Sequence, residues 1–226
     1  MRLLIFSPFY EVKAYSPYIE SLFQSVKVLT QEKIEVDFMA HPGDAYVDRA
    51  KNTICAKFLE SDCTDLLIID SDLAWDSAAI LRMVRAPYEV VGAVYPMKVD
   101  GERYPCSLQL DKDGRPILDQ ETGLLRAEWL PGGFLRIKRS CLEKMKEAYK
   151  DMAYREPNAD LENPGREYVP YFECVIENKI RCTEDYIFCR RWKAIGGELW
   201  VEPKITFGHY GTKGWYGSFH QHLLAK

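Results

Sequence analysis

Four consecutive aliphatic residues, Leu66, Leu67, Ile68 and Ile69, run without a break into Asp70-Ser71-Asp72. A stretch that is apolar at every position has no face to turn to water, so residues 66–69 read as a strand covered on both sides, the parallel kind. The two carboxylates cannot follow it into the core unpaired. They must lie at the strand's carboxyl end, where open α/β sheets bind ligands, and meet water, a cation or a partner there.

The first hundred residues repeat this logic. Residues 2–6, 34–39 and 89–94 read as further strands. Between them, Ser16-Pro17 opens a helix with the serine as cap and proline in the first turn, and Ile19, Leu22, Phe23 and Val26 recur at helical spacing. Val47, Ala50, Ile54 and Phe58 form a second helical stripe ending at Ser61, and Asp76-Ser77 caps a third helix. Strands alternating with helices predict an α/β fold, with a mostly parallel central sheet flanked by helices. At 226 residues and 47% hydrophobic, the chain is long enough to bury a substantial core.

The second half changes character. Residues 104–138 carry Asp113-Gly114 and Thr122-Gly123 turns, and 128–138 alternate as a strand entered through Gly132-Gly133. Ser140 and Glu143 are spaced as a capping box. Residues 151–172, with Pro157, Asn158, Asn163, Pro164, Gly165 and Pro170, read as a long loop of the lid or binding kind. Thr183 caps a helix that reaches Ile195, followed by a strand over 199–201. Residues 208–217 hold four glycines and suit a mobile flap.

Several classes are excluded or disfavoured. Lys+Arg 30 against Asp+Glu 34 leaves a formal charge of −4 and no net positive field for nucleic acid or anionic membrane. Arg190-Arg191 and the group Arg136, Lys138 and Arg139 read as solvated faces. The seven cysteines contain no C-x-x-C pair, and the terminal His220-x-His222 has no cysteine partners for zinc. There is no P-loop and no G-x-G-x-x-G. No apolar run approaches the ~20 residues of a membrane span, and the opening turns polar too soon for a signal peptide's core. A cytoplasmic location is expected.

Four features bear on chemistry. Asp70 and Asp72 form an oxygen-rich pair suited to Mg²⁺ or Mn²⁺, or else Asp72 or Asp76 merely caps the next helix. Glu184-Asp185 either compensates a helix dipole or supplies a general base. His209, between Gly208 and Tyr210-Gly211, is either a hydrogen-bonded structural residue or the nitrogen ligand of a mixed O/N site. Arg49 and Asn52 are either surface residues or diphosphate and base contacts. Aromatic residues, among them Tyr168, Tyr171, Trp200, Tyr210, Trp215 and Tyr216, gather in the second half, either as core or as stacking surfaces for sugars or bases.

In this order the residues resemble a nucleotide-sugar glycosyltransferase of the GT-A fold, the short single-domain type of viruses and phages, over nearly the whole chain. The matching elements are Ser7-Pro8 after the first strand, residues 48–52, Asp70-Ser71-Asp72, residues 91–95, Gly132-Gly133, Thr183-Glu184-Asp185 and Gly208-His209. The resemblance implies one Rossmann-like domain over 1–226. Its 1–100 half would bind the nucleotide sugar, and its smaller antiparallel 101–226 half, ending in the flap, would bind the acceptor. It implies Asp72 as ligand of Mn²⁺ or Mg²⁺, Asp70 on the cation or the ribose, and His209 as a third ligand. Ser7, Pro8, Arg49, Asn52, Asp70 and Gly133 would surround the donor, and Asp185, with Glu184 beside it, would serve catalysis. The implied donor is a nucleoside diphosphate sugar, UDP-linked by preference. The implied acceptor is a glycan, a protein-linked glycan or a hydroxymethylated DNA base, and host cytoplasm is the place of work for a viral or phage enzyme. A nucleotidyltransferase would use the same metal site, and a non-catalytic carbohydrate-binding module would also explain the aromatics.

Overall fold

The computed structural model describes residues 1–156 and 163–225. In chain order, the first half comprises β1 (Arg2–Phe9), α1 (Ser16–Gln31), β2 (Glu35–Pro42), α2 (Val47–Glu60), β3 (Asp65–Ile69), β4 (Leu73–Trp75), α3 (Ala79–Arg85) and β5 (Val90–Gly92). There follow β6 (Ser107–Leu108), β7 (Leu125–Trp129), β8 (Phe134–Lys138), α4 (Arg139–Ala148), β9 (Tyr154–Arg155), β10 (Glu167–Tyr168), β11 (Val175–Glu177) and β12 (Ile180–Cys182). The chain closes with α5 (Glu184–Ala194), β13 (Leu199–Val201), β14 (Thr206–Tyr210), β15 (Gly214–Ser218) and α6 (Phe219–Leu224).

Eight strands form the main sheet in the order β2-β1-β3-β8-β5-β13-β7-β6. Only β8 and β7 run against the common direction, so the sheet is mostly parallel, as expected. The unbroken apolar run of β3 has the predicted cause. Leu66 and Ile68 face a core with Ile54 and Phe58 of α2 and Phe188 and Trp192 of α5, while Leu67 and Ile69 face Tyr18 of α1 and Ile80 and Met83 of α3. A three-stranded antiparallel sheet, β15-β14-β4, forms beyond the end of β3, and two two-stranded sheets pair β9 with β10 and β11 with β12. The turns at Gly114 and Gly123 form with positive φ. Among the described residues no helix is long and apolar enough to cross a membrane.

Several local expectations are corrected by tertiary contacts. Ser16 is the first helical residue, and Tyr15 holds the cap position without a side-chain bond. Asp76 closes a turn ahead of α3, accepting from Ala78 N–H at 3.1 Å and from Arg82 at 2.7 Å, and Ala78 is the cap. The Ser140/Glu143 box does not form. Ser140 Oγ donates to Glu89 at 2.7 Å, and α4 begins one residue earlier, straight out of β8.

Nor are Arg136 and Arg139 solvated. Arg136 is fully buried and donates to the carbonyls of Met83, Ala86 and Tyr88, closing the end of α3. Arg139 donates to the Phe58, Leu59, Ser61 and Cys63 carbonyls at the end of α2. Both guanidiniums thus satisfy orphan helix-terminal acceptors. In the expected loop over 151–172, β9 pairs with β10, while Pro157 and Asn158 lie outside the described residues. The expected flap is a hairpin, with β14 paired to both β15 and β4.

Candidate functional site

β3 delivers Asp70 to the carboxyl edge of the sheet, where its N–H donates to the Gly133 carbonyl at 2.9 Å. Gly133 N–H in turn meets the Tyr95 hydroxyl oxygen at 3.2 Å. This approach requires glycine, because a methyl group on Gly133 would run into the Asp70 carboxylate and the Tyr95 hydroxyl. Gly133→Ala should therefore cost about 1–3 kcal/mol of stability as Asp70 and Tyr95 are pushed apart. Urea denaturation checks this, and an unchanged midpoint would show that the neighbours yield freely. Burial pushes the Asp70 carboxyl up to about 6, with the Lys51 charge opposing the shift and the Asp72 charge adding to it.

Asp72 is held differently. Its Oδ2 accepts from Lys98 Nζ at 2.5 Å, and its Oδ1 lies 3.6 Å from His209 Nε2. The register of β14 on β4, with His209 opposite Leu73 and Tyr210 N–H donating to the Asp72 carbonyl at 2.8 Å, creates that proximity. His209 Nδ1 donates to the Pro96 carbonyl at 2.7 Å, which turns Nε2 toward Asp72. That nitrogen faces Asp72 Oδ1, a buried oxygen with no hydrogen-bond partner. Burial alone would raise the Asp72 carboxyl, but His209 and Lys98 outweigh it and hold the group below its ordinary value.

On the other side of Gly133, the first turn of α5 presents Glu184 and Asp185. Asp185 Oδ2 accepts from Gly132 N–H at 3.3 Å, while Oδ1 accepts from Tyr186 N–H at 2.8 Å and from the Thr183 hydroxyl. Thr183 occupies the cap position as expected, but its hydroxyl serves Asp185 instead of the backbone. Glu184 is engaged by Lys51 Nζ at 3.1 Å. The Lys51 side chain is 3% exposed; burial opposes its charge, yet Glu184, Asp70 and Asp185 together raise its pKa above the ordinary value.

The remaining expected residues have other neighbours. Ser7 is fully buried, with Oγ 2.5 Å from the Tyr18 hydroxyl, and Pro8 follows it at the end of β1. Arg49 is gripped by Asp44 at 2.6 Å. The Asn52 amide takes both the N–H and the carbonyl of Phe172, at 2.9 and 2.8 Å, so Asn52 anchors that loop and has little left for a ligand. Arg49 and Asn52 line a separate pocket of about 480 Å³ with Tyr46, Asp48, Tyr154 and Phe172. The structure thus brings together Asp70, Asp72, His209, Gly133, Glu184 and Asp185, and sets Arg49 and Asn52 apart.

Lys51, Tyr95 and Lys98 were missed. For Lys51 a signal existed, since it shares a helical stripe with buried Cys55 and Phe58 and is the charge in that stripe. His220 and His222 lie on α6, where the His222 ring packs on Tyr104. Among the described residues no three His, Cys, Asp or Glu side chains already close into a ready metal set. Asp70, Asp72 and His209 nonetheless supply the hard oxygens and the imidazole whose chemistry suits Mn²⁺ or Mg²⁺, and Asp72 Oδ1 is a buried oxygen with no hydrogen-bond partner.

No protein-family model matches the chain, and no curated protein matches it in sequence. Solved structures do match. A197 from STIV is similar over 93% of this chain and 86% of that one, at TM-score 0.56 and 19% identity. GalNAc-T7, solved with UDP, GalNAc and Mn²⁺, is similar over 92% of this chain, at TM-score 0.51 and 12% identity. The chain spans 42% of GalNAc-T7. At such identities the likeness is one of fold, and that fold is the GT-A architecture of glycosyltransferases.

Proposed function

We propose that this chain is a metal-dependent glycosyltransferase, moving a sugar from a nucleoside diphosphate sugar, UDP-linked by preference, to an acceptor hydroxyl. The observation that carries the reading is the meeting of Asp70, Asp72 and His209 with Asp185 at one edge of a GT-A sheet. A Mn²⁺ or Mg²⁺ ion held by Asp70, Asp72 and His209 would supply the positive charge that stabilises the departing diphosphate. Asp185 receives the proton of the attacking hydroxyl as the sugar is displaced directly. Gly132, Tyr186 and Thr183 orient that carboxylate for the task. Glu184, tied to Lys51, positions the turn and leaves the base role to its neighbour. On this reading residues 1–100 hold the donor and 101–226 the acceptor.

Beside Asp185 runs a groove of about 540 Å³, lined by Trp129, Ile180, Arg181, Thr183, Tyr186 and Arg190. Trp129 and Tyr186 offer ring faces of the kind sugars pack on. Arg190 is neutralised by Glu177 at 2.5 Å and Lys193 by Glu128, which leaves the exposed Arg181 as the groove's main positive charge, fewer than the several that a polynucleotide backbone calls for. The groove therefore favours a glycan acceptor over a DNA base.

Thermal unfolding with UDP-sugars, with and without Mn²⁺, tests the reading. A donor at about a hundred times its Kd should stabilise the chain by ~2.7 kcal/mol, and Asp72→Asn should lose the Mn²⁺-dependent part. Turnover should release UDP. Pyrophosphate would mean nucleotidyl transfer, and no stabilisation by any nucleotide sugar would overturn the reading.

A further inference from the structure

Lys98 is paired with the carboxylate that the proposed function gives to a metal ion. Its ammonium is seated on Asp72 Oδ2 at 2.5 Å, although its side chain is one-third exposed and the surrounding solvent would hydrate it well. The loop that carries it is built to reach this point. Pro96 holds the His209 ring through its carbonyl, Met97 N–H closes the loop on the Arg103 carbonyl at 2.8 Å, and Lys213 pairs with Asp100 at 2.6 Å. The Lys98 stem runs past Gly211 at the turn of the β14–β15 hairpin. Residues 96–103 and the hairpin are thus joined by contacts on both sides of Lys98.

We propose that Lys98 is the resident cation of this site, neutralising Asp72 until a divalent ion arrives with a nucleoside diphosphate, and then moving its charge onto the diphosphate. The inference rests on the metal-dependent reading above. Its physical basis is competition. Asp72 has one negative charge to share between its oxygens, so an ammonium bonded to Oδ2 lowers the charge that Oδ1 can offer a divalent ion, and the lysine weakens binding of the ion alone. A flexible four-carbon stem lets the ammonium leave Asp72 for a phosphate oxygen nearby, which a fixed Arg fork would do less readily. The site would then take ion and nucleotide as a unit and resist the bare ion.

Calorimetric titration of the full chain with MnCl₂ alone, and with UDP at saturating MnCl₂, tests this on the wild type, Lys98→Gln, Lys213→Gln and Asp72→Asn. Lys98→Gln should bind Mn²⁺ alone about tenfold tighter and UDP with Mn²⁺ about tenfold weaker. Lys213→Gln removes an equal charge from Asp100 at the same hairpin and should change either affinity less than about twofold. Wild-type Mn²⁺ binding that Asp72→Asn abolishes but Lys98→Gln leaves unchanged or weakens would overturn the role of Lys98 while keeping the metal site. Equal gains in Mn²⁺ affinity from both lysine variants would also overturn it, by reducing the effect to general charge. No Mn²⁺ binding in any variant, with or without UDP, would overturn both this inference and the metal-dependent function.

Discussion

Asp185→Asn should slow sugar transfer by about 10²–10⁴-fold, the loss typical of a removed general base, while UDP and Mn²⁺ bind within about twofold of wild type. The expectation follows from how the two neighbouring acids are held. Glu184 faces a buried ammonium at 3.1 Å, so its lone pairs are already engaged by a full charge. Asp185 is held by two backbone N–H groups and a hydroxyl, which orient it, and feels the Lys51 charge without the direct bond that Glu184 makes, while Thr183 and Tyr186 also line the groove alongside. The asparagine keeps one acceptor oxygen and sets an amide against a donor, a local cost of about 1 kcal/mol that should show in the midpoint of unfolding and not in the fold. Single-turnover rates of UDP release, paired with calorimetric affinities, separate chemistry from binding. Full transfer by the variant would remove Asp185 from the reaction.

Lys51→Met should be the most destabilising single change near the site, at about 3–5 kcal/mol. Methionine fits the space of the stem, but it leaves Glu184, Asp70 and Asp185 facing one another without the cation that all three share. For a chain of this size, ~2–4 °C per kcal/mol gives a fall in Tm of about 10 °C. The double variant Lys51→Met/Glu184→Leu removes the buried pair as a unit and should recover most of that loss. A single variant melting within about 2 °C of wild type would mean that solvent reaches the carboxylates and that the pair contributes little.

The legible part of this molecule was whatever neighbours in sequence decide. β3 is apolar at each position from Leu66 to its end because both faces are covered, and the chain changes to Asp70 where that cover stops. The Gly132-Gly133 pair likewise signalled a close approach, and the contact found is with Asp70, Tyr95, Lys51 and Asp185. Capping residues were less readable. Ser140 had the right spacing for a box, yet Glu89 lay within reach across the fold and accepted its hydroxyl. Arg136 and Arg139 looked like surface charges, because no local pattern announces that helix-terminal carbonyls will converge on them.

The sequence by itself determined β1, β2, β3 and β5 with the helices between them, the acidic end of β3 and the acidic start of α5, because hydrophobic period and helix-start chemistry act over a few residues. Tertiary structure alone decided that His209 faces Asp72, through the pairing of β14 with β4, and that Lys51 and Lys98 supply the cations beside the acids. Such partners are chosen by strand register and by which buried charge finds a counter-charge, and both are settled only when distant segments pack together.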